Sequence, residues 1–230
     1  YGFTRQHPAI ERAAEFVFSC QTEQGDLRGI LANQYANYYT GAILGLLVEG
    51  GYADDPRVEK GLQWLISNRQ DDGGWSESLI SNKLSRETIY HLSSEFAEPL
   101  EPDRSKPFSH NWTGMVLRAF SAHPQFRTHE AARNGAMLLK SRFFQKDAYT
   151  WLQAASYWVR FEYPFWWNNI VSAMDSLSQI GLPATDPDMT RGLTWLLQHQ
   201  EDDGGWLTTY AKPEPDTAAT RERRLWVTLA

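Results

Sequence analysis

Two stretches of this chain repeat one another without a gap. Residues 60–75 (KGLQWLISNRQDDGGW) and 191–206 (RGLTWLLQHQEDDGGW) agree at nine of sixteen positions. A period of this kind restricts the fold before any single residue does, because each unit must stack on its neighbours to bury its apolar face. Upstream, Ala53, Asp55 and Pro56 stand in the same register as Ala184, Asp186 and Pro187. A weaker copy opens the chain, where Arg12, Ala13, Phe16, Val17, Gln21 and Gly25 take the places of Lys60, Gly61, Trp64, Leu65, Arg69 and Gly73, with Leu27 in place of Trp75. A fourth, at 134–143, keeps Gly135, Leu138 and Leu139 but lacks the Gly-Gly-Trp ending.

Within a copy, Val58, Leu62, Leu65 and Ile66 are spaced as the apolar stripe of a half-buried helix. Its start is marked by Asp55-Pro56 and Asp186-Pro187, a capping carboxylate followed by proline at the first helical position; His7-Pro8 keeps the proline. Asp71-Asp72-Gly73-Gly74 and Asp202-Asp203-Gly204-Gly205 end it, since glycine allows positive φ and aspartate bonds to turn backbone. Ahead of each such helix lies one that is apolar round most of its circumference, at 38–49, 112–122 and 167–180, and is therefore expected to be the more buried. The expectation is an all-α array in a single domain over 1–230. Its outer helices fall near 8–20, 55–69, 128–143 and 186–199, and its inner ones near 38–49, 112–122, 167–180 and from 224, about four pairs in all. The segment 224–230 reads as the opening of a further inner helix, so the array is expected to be incomplete at one or both ends. Glu87 to Phe96 looks helical, 212–220 is polar, proline-bearing and expected to be mobile, and Trp75 and Trp206 are both expected to be buried over the turns that precede them.

The stretch 60–75, and still more 191–206 with Gln200, Gly204 and Trp206, resembles the QW motif of squalene and oxidosqualene cyclases. The paired helices resemble the (α/α) toroid those cyclases share with protein prenyltransferases. This resemblance implies a toroid or open arc in which the N-termini of the inner helices face a cavity that takes an isoprenoid or other hydrophobic ligand. Those cyclases that begin by protonating their substrate carry an Asp-x-Asp-Asp motif at such an N-terminus. Here the corresponding residues are Ala36-Asn37-Tyr38-Tyr39, Ser109-His110-Asn111-Trp112 and Phe165-Trp166-Trp167-Asn168, without a carboxylate. The prenyltransferase zinc triad has no counterpart either, because the one cysteine, Cys20, falls at the end of an outer helix. Whether the chain is an enzyme is left open, and neither a metal nor a cofactor is expected.

The net charge of −6, with no basic cluster, argues against nucleic acid as a partner. A single cysteine provides no disulfide framework and points to a reducing, cytoplasmic setting. No run approaches the roughly 18 apolar residues of a membrane span, which leaves peripheral membrane contact as the only membrane role expected.

The candidate ligand site is the set of aromatic and polar residues at the inner-helix starts: Tyr38, Tyr39, His110, Asn111, Trp112, Trp166, Trp167 and Asn168. Their π-faces suit a polyene; the competing reading is that they fill core. Helix N-termini there would favour an anionic head such as a diphosphate. His110 and Asp175 are the catalytic candidates, His110 otherwise a wall residue and Asp175 otherwise paired with a base such as Arg118. Asp71, Asp72, Asp202 and Asp203 read as turn residues, and Glu95, Glu98 and Glu101 as either a lid or a solvated run. Two other functions fit the composition. One is a carbohydrate-active α/α toroid, a glycosidase or polysaccharide lyase, which two carboxylates across the cavity would favour. The other is a non-catalytic scaffold for protein binding.

Overall fold

The computed structural model describes residues 2–27, 36–76, 85–92, 103–147, 154–162, 165 and 167–230, apart from the side chains of Ile89 and Leu92. These residues are all-α: α1 (Pro8–Ser19), α2 (Ala36–Leu47), α3 (Pro56–Ser67), α4 (Arg86–Leu92), α5 (His110–Ala122), α6 (Glu130–Lys140), α7 (Ile170–Ile180), α8 (Pro187–Gln198) and α9 (Ala218–Leu229). A π-helical turn, Val48–Tyr52, extends α2. Extended pairing among the described residues is confined to one bridge, Arg160 with Thr209.

All four outer helices begin at the same repeat position, where a side chain accepts a hydrogen bond from an otherwise unsatisfied N–H of the first turn. His7 caps α1 through Ala9 N, Asp55 caps α3 through Arg57 N, His129 caps α6 through Ala131 N, and Asp186 caps α8 through Asp188 N. Imidazole thus replaces carboxylate at two of the four starts.

The helices form two layers. In the inner row α5 lies between α2 and α7, and α3, α6 and α8 pack behind α2, α5 and α7 respectively, with α1 and α9 flanking in sequence. Burial separates the layers as the apolar patterning requires: eleven of the thirteen residues of α5 are buried, against Met189 and Gly192 alone in α8. α2 and α5 meet backbone to backbone, because a Cβ at Gly41 would stand 2.6 Å from Val116 Cα. The glycine shared by the repeats makes room between the layers for inner-helix side chains. A Cβ at Gly61 would be 2.8 Å from Leu44 Cδ1, and one at Gly192 would be 2.4 Å from Met174 Sδ.

The repeated turn is tied to the helices beyond it. Trp75 is fully buried, donates from Nε1 to Leu65 O (2.8 Å) and lies over Gly135 of α6. Its backbone N–H donates to Thr113 Oγ1 of α5 at 3.0 Å. The same bond recurs from Leu27 N to Thr40 Oγ1 (2.9 Å) and from Trp206 N to Thr228 Oγ1 (3.1 Å). Asp72 accepts from Gly74 N and Phe108 N, and Asp203 from Gly205 N, which places both in turn geometry.

Three features depart from the sequence-based expectation. First, α9 begins at Ala218, capped by Thr217, whose Oγ1 accepts from Thr220 N; a cap followed by two alanines starts a helix inside the stretch expected to be mobile. Second, Trp206 keeps the motif bond from Nε1 to Leu196 O (2.9 Å) but is only half-buried. No described outer helix covers it as α6 covers Trp75. Third, the connection between α6 and α7, on which the sequence pattern sets no contacts, packs on the stretch after α8: Trp158 is buried and donates to Gln145 O, while Phe161 N donates to Thr208 O and Tyr210 N to Val159 O.

Truncating the two motif tryptophans should therefore have unequal effects. Trp75→Ala is expected to cost about 3–5 kcal/mol, the range for a fully buried aromatic, and Trp206→Ala less than half of that. Urea unfolding followed by far-UV circular dichroism checks this; equal losses would contradict the assignment of one tryptophan to the core and the other to its margin.

Candidate functional site

At the N-terminal end of the inner row the structure brings together Tyr38, Tyr39, Trp112 and Trp167. Ring centroids of Tyr38 lie 5.4 Å from Tyr39, 5.2 Å from Trp112 and 6.0 Å from Trp167. Tyr38 and Trp112 are buried, Tyr39 and Trp167 half-buried. The rings touch one another in tilted and edge-on arrangements, as aromatic core does. Burial pushes the Tyr38 hydroxyl well up from its ordinary value, so it stays protonated. Asn168 is buried, donates from Nδ2 to His110 O and presses against the bare Cα of Gly114. Trp166 lies outside the described residues, as do Glu95, Glu98 and Glu101.

His110 and Asn111 belong to a different neighbourhood. Asp147, which follows α6, brings its carboxylate to the start of α5. There it accepts from Ser109 Oγ (2.6 Å) and Asn111 N (3.2 Å), and stands 3.6 Å from His110 Nδ1. All four residues are buried, and His110 lies 4.7 Å from the Trp158 ring. Burial pulls the His110 imidazole down to about 4, opposed by Asp147 and aided by Arg142. Where an anionic head group is expected at the inner-helix N-termini, the Asp147 carboxyl already accepts from Asn111 N at α5, and Asn169 caps the first turn of α7 through Ser172 N. No sequence spacing relates Asp147 to Ser109, so the pairing is visible only once α6 is folded against α5.

The cavity lies further along the inner row. A groove of about 910 Å³ runs between α2, α5, α7 and α8, with Ala42, Leu46, Met174, Leu182 and Leu193 supplying much of its apolar wall. Its charged groups are Glu49, Arg118 and Asp175. Arg118 donates to Phe165 O (2.5 Å) and Trp167 O (3.1 Å), which ties the loop before α7 to the flank of α5. Asp175 lies exposed on the edge of this groove and accepts from Gln179 Nε2 (2.9 Å). Its charge acts on Arg118 through space. Burial and, after it, Asp175 push the Glu49 carboxyl up, with Arg118 opposing. Sequence reasoning misses Glu49 because it stands exposed at the end of an apolar helix and nothing in its spacing ties it to the groove.

Two polar depressions sit over the equivalent repeat turns, one of about 560 Å³ around Gln198–Asp203 and Arg224 and one of about 390 Å³ around Ile66–Gly73 and Arg104. They belong to the turn architecture. Among the described residues no group of three or more His, Cys, Asp or Glu could hold a metal ion, and no helix is long and apolar enough to cross a membrane.

An all-α array of buried and amphipathic helices in register, with a groove along the buried row, defines the class. Comparison with known proteins shows what parts of the chain are similar to. Residues 1–95 match the family model of the squalene-hopene cyclase C-terminal domain. A squalene-hopene cyclase of Schizosaccharomyces japonicus is 37% identical over 59 residues, 26% of this chain and 9% of that protein. A probable squalene–hopene cyclase of Sinorhizobium fredii is 31% identical over 83 residues, 36% of this chain and 13% of that protein, and a terpene cyclase/mutase of Nectria sp. is 27% identical over 147 residues, 63% of this chain and 17% of that protein. These findings support the terpene cyclase superfamily. The matches span less than a fifth of each relative's length.

The His110 environment sets a pH dependence. Its folded value near 4 lies below the unfolded value of about 6.5, so between them the unfolded chain binds a proton that the folded chain does not. The contribution, at most about 3 kcal/mol, is complete above pH about 6.5 and lost as pH falls toward 4. Urea unfolding between pH 7.5 and 4.5 should show a shallower loss of stability in His110→Asn than in the native chain; parallel curves would contradict the burial of a neutral imidazole.

Proposed function

We propose that this chain is a squalene cyclase-like helical array that binds an isoprenoid or comparable hydrophobic ligand along its inner row. The observation that carries the reading is the groove of about 910 Å³ between α2, α5, α7 and α8, apolar over most of its wall and within the size range of small-molecule sites. The similarity to squalene-hopene cyclases supplies the ligand class, since those relatives are named for the hydrocarbon squalene.

On this reading the aromatic cluster of Tyr38, Tyr39, Trp112 and Trp167 forms the packed end of the site, and Phe165, held through its carbonyl by Arg118, closes the groove beside it. Leu46, Met174, Leu182 and Leu193 take the hydrocarbon. Replacing water against these side chains with ligand is worth roughly 25 cal/mol per Å² of apolar surface covered, so binding strength should follow chain length. The apolar composition of the wall supports a hydrocarbon over a sugar. The helical pairs of 1–230 act as one continuous array in which every pair contributes a wall.

Isothermal titration calorimetry with farnesol tests this. Saturable binding is expected, weakened at least tenfold by Leu193→Asp, which sets a charge in the wall at a partly exposed position where the fold tolerates it. No saturable binding up to the solubility limit, or equal affinity in the variant, would contradict the proposal.

A further inference from the structure

The groove is asymmetric in chemistry. Its charge is gathered where Glu49 at the end of α2, Arg118 of α5 and Asp175 of α7 face the same space, while Ala42, Leu46, Met174, Leu182 and Leu193 are apolar. Formal charges there sum to −1, two carboxylates against one guanidinium. The guanidinium is already engaged, since both Nη atoms donate to the carbonyls of Phe165 and Trp167 and its Nε is shut off from solvent. Asp175 receives one hydrogen bond, from Gln179, and Glu49 accepts none among the described residues. The groove therefore offers acceptors and negative charge beside an apolar channel, with its one cation turned toward the wall.

We propose that this groove selects amphiphilic cations: a protonated amine seated between Glu49 and Asp175, with its hydrocarbon or isoprenoid tail along Leu46, Met174 and Leu193. The inference rests on the preceding reading that the groove holds an apolar ligand, and adds the charge of the head group. An ammonium has three donors and no acceptor, which matches two carboxylates that lack donors of their own. Hydrogen bonds between ionised partners are roughly twice as strong as neutral ones, and the ammonium also relieves the repulsion between the two carboxylates. Phosphate or carboxylate heads meet that same repulsion, so the pair selects against them as well as for the amine. The preference is thus the reverse of the one that free helix N-termini would give.

The test compares dodecylamine, dodecan-1-ol and dodecanoate by isothermal titration calorimetry at pH 7, each below its aggregation concentration, so that tail length is constant and only the head varies. The amine is expected to bind at least tenfold more tightly than the alcohol, with dodecanoate weakest. Glu49→Gln combined with Asp175→Asn should abolish the amine preference and leave alcohol binding unchanged. A second double variant, Asp71→Asn with Asp202→Asn, makes the same change in net charge at the repeat turns and should leave the preference intact. Equal binding of amine and alcohol, survival of the preference without Glu49 and Asp175, or its equal loss in the turn variant would each overturn the proposal. If the alcohol binds but the amine is not favoured, the head-group inference alone falls; if neither binds, the apolar-ligand reading falls with it.

Discussion

The contact on which the rest of the structure depends is the close approach of α2 to α5. A side chain at Gly41 would place its Cβ 2.6 Å from Val116 Cα, inside any allowed separation, so the two helices can lie this near only because position 41 has none. That spacing sets where Tyr38, one turn earlier, meets Trp112, and where Leu46 and Glu49, further along the same helix, stand across the groove from α7. The packed aromatic end and the open groove are two consequences of one helix crossing. Glycine in a helix interior weakens the helix by roughly 1 kcal/mol relative to alanine, a cost offset here by the burial of almost all of α5.

The second constraint is the bond from the residue ending three of the repeats to the threonine of an inner helix. Leu27, Trp75 and Trp206 differ in size and burial, yet each donates its backbone N–H to Thr40, Thr113 or Thr228. Because the donor is main chain, the bond survives loss of the motif tryptophan at Leu27. It positions these three turns against an inner helix, which is why unequal connections can join equal units.

Much of this is legible in the residues themselves. Proline after a capping side chain marks the starts of three of the four outer helices, α1, α3 and α8, and the all-round apolar segments identify the inner row. The direction in which polar groups point is not legible. Periodicity gives a face but not the partner that comes from elsewhere in the chain, so Asp147 at the start of α5 and Glu49 in the groove both escape a sequence reading, and the N-termini read as open to an anion that Asp147 and Asn169 displace. The start of α9 is hidden for a local reason: Pro213 and Pro215 dominate the pattern of a stretch in which Thr217 is a helix cap. Trp206 shows the remaining limit, since an identical motif gives a different burial when its neighbour differs.

The groove is a product of how α2 is held against α5, and a distance across it measures that directly. Spin labels at positions 46 and 179, both lining the groove from opposite helices, in a Cys20→Ser background, report the separation of α2 from α7 by pulsed electron resonance. A single narrow distance distribution is predicted in this chain and a longer, broader one after Gly41→Ala, because the added methyl forces α2 away from Val116. Identical distributions with and without the methyl would show that the close approach at Gly41 does not set the groove, and would contradict the account at its base.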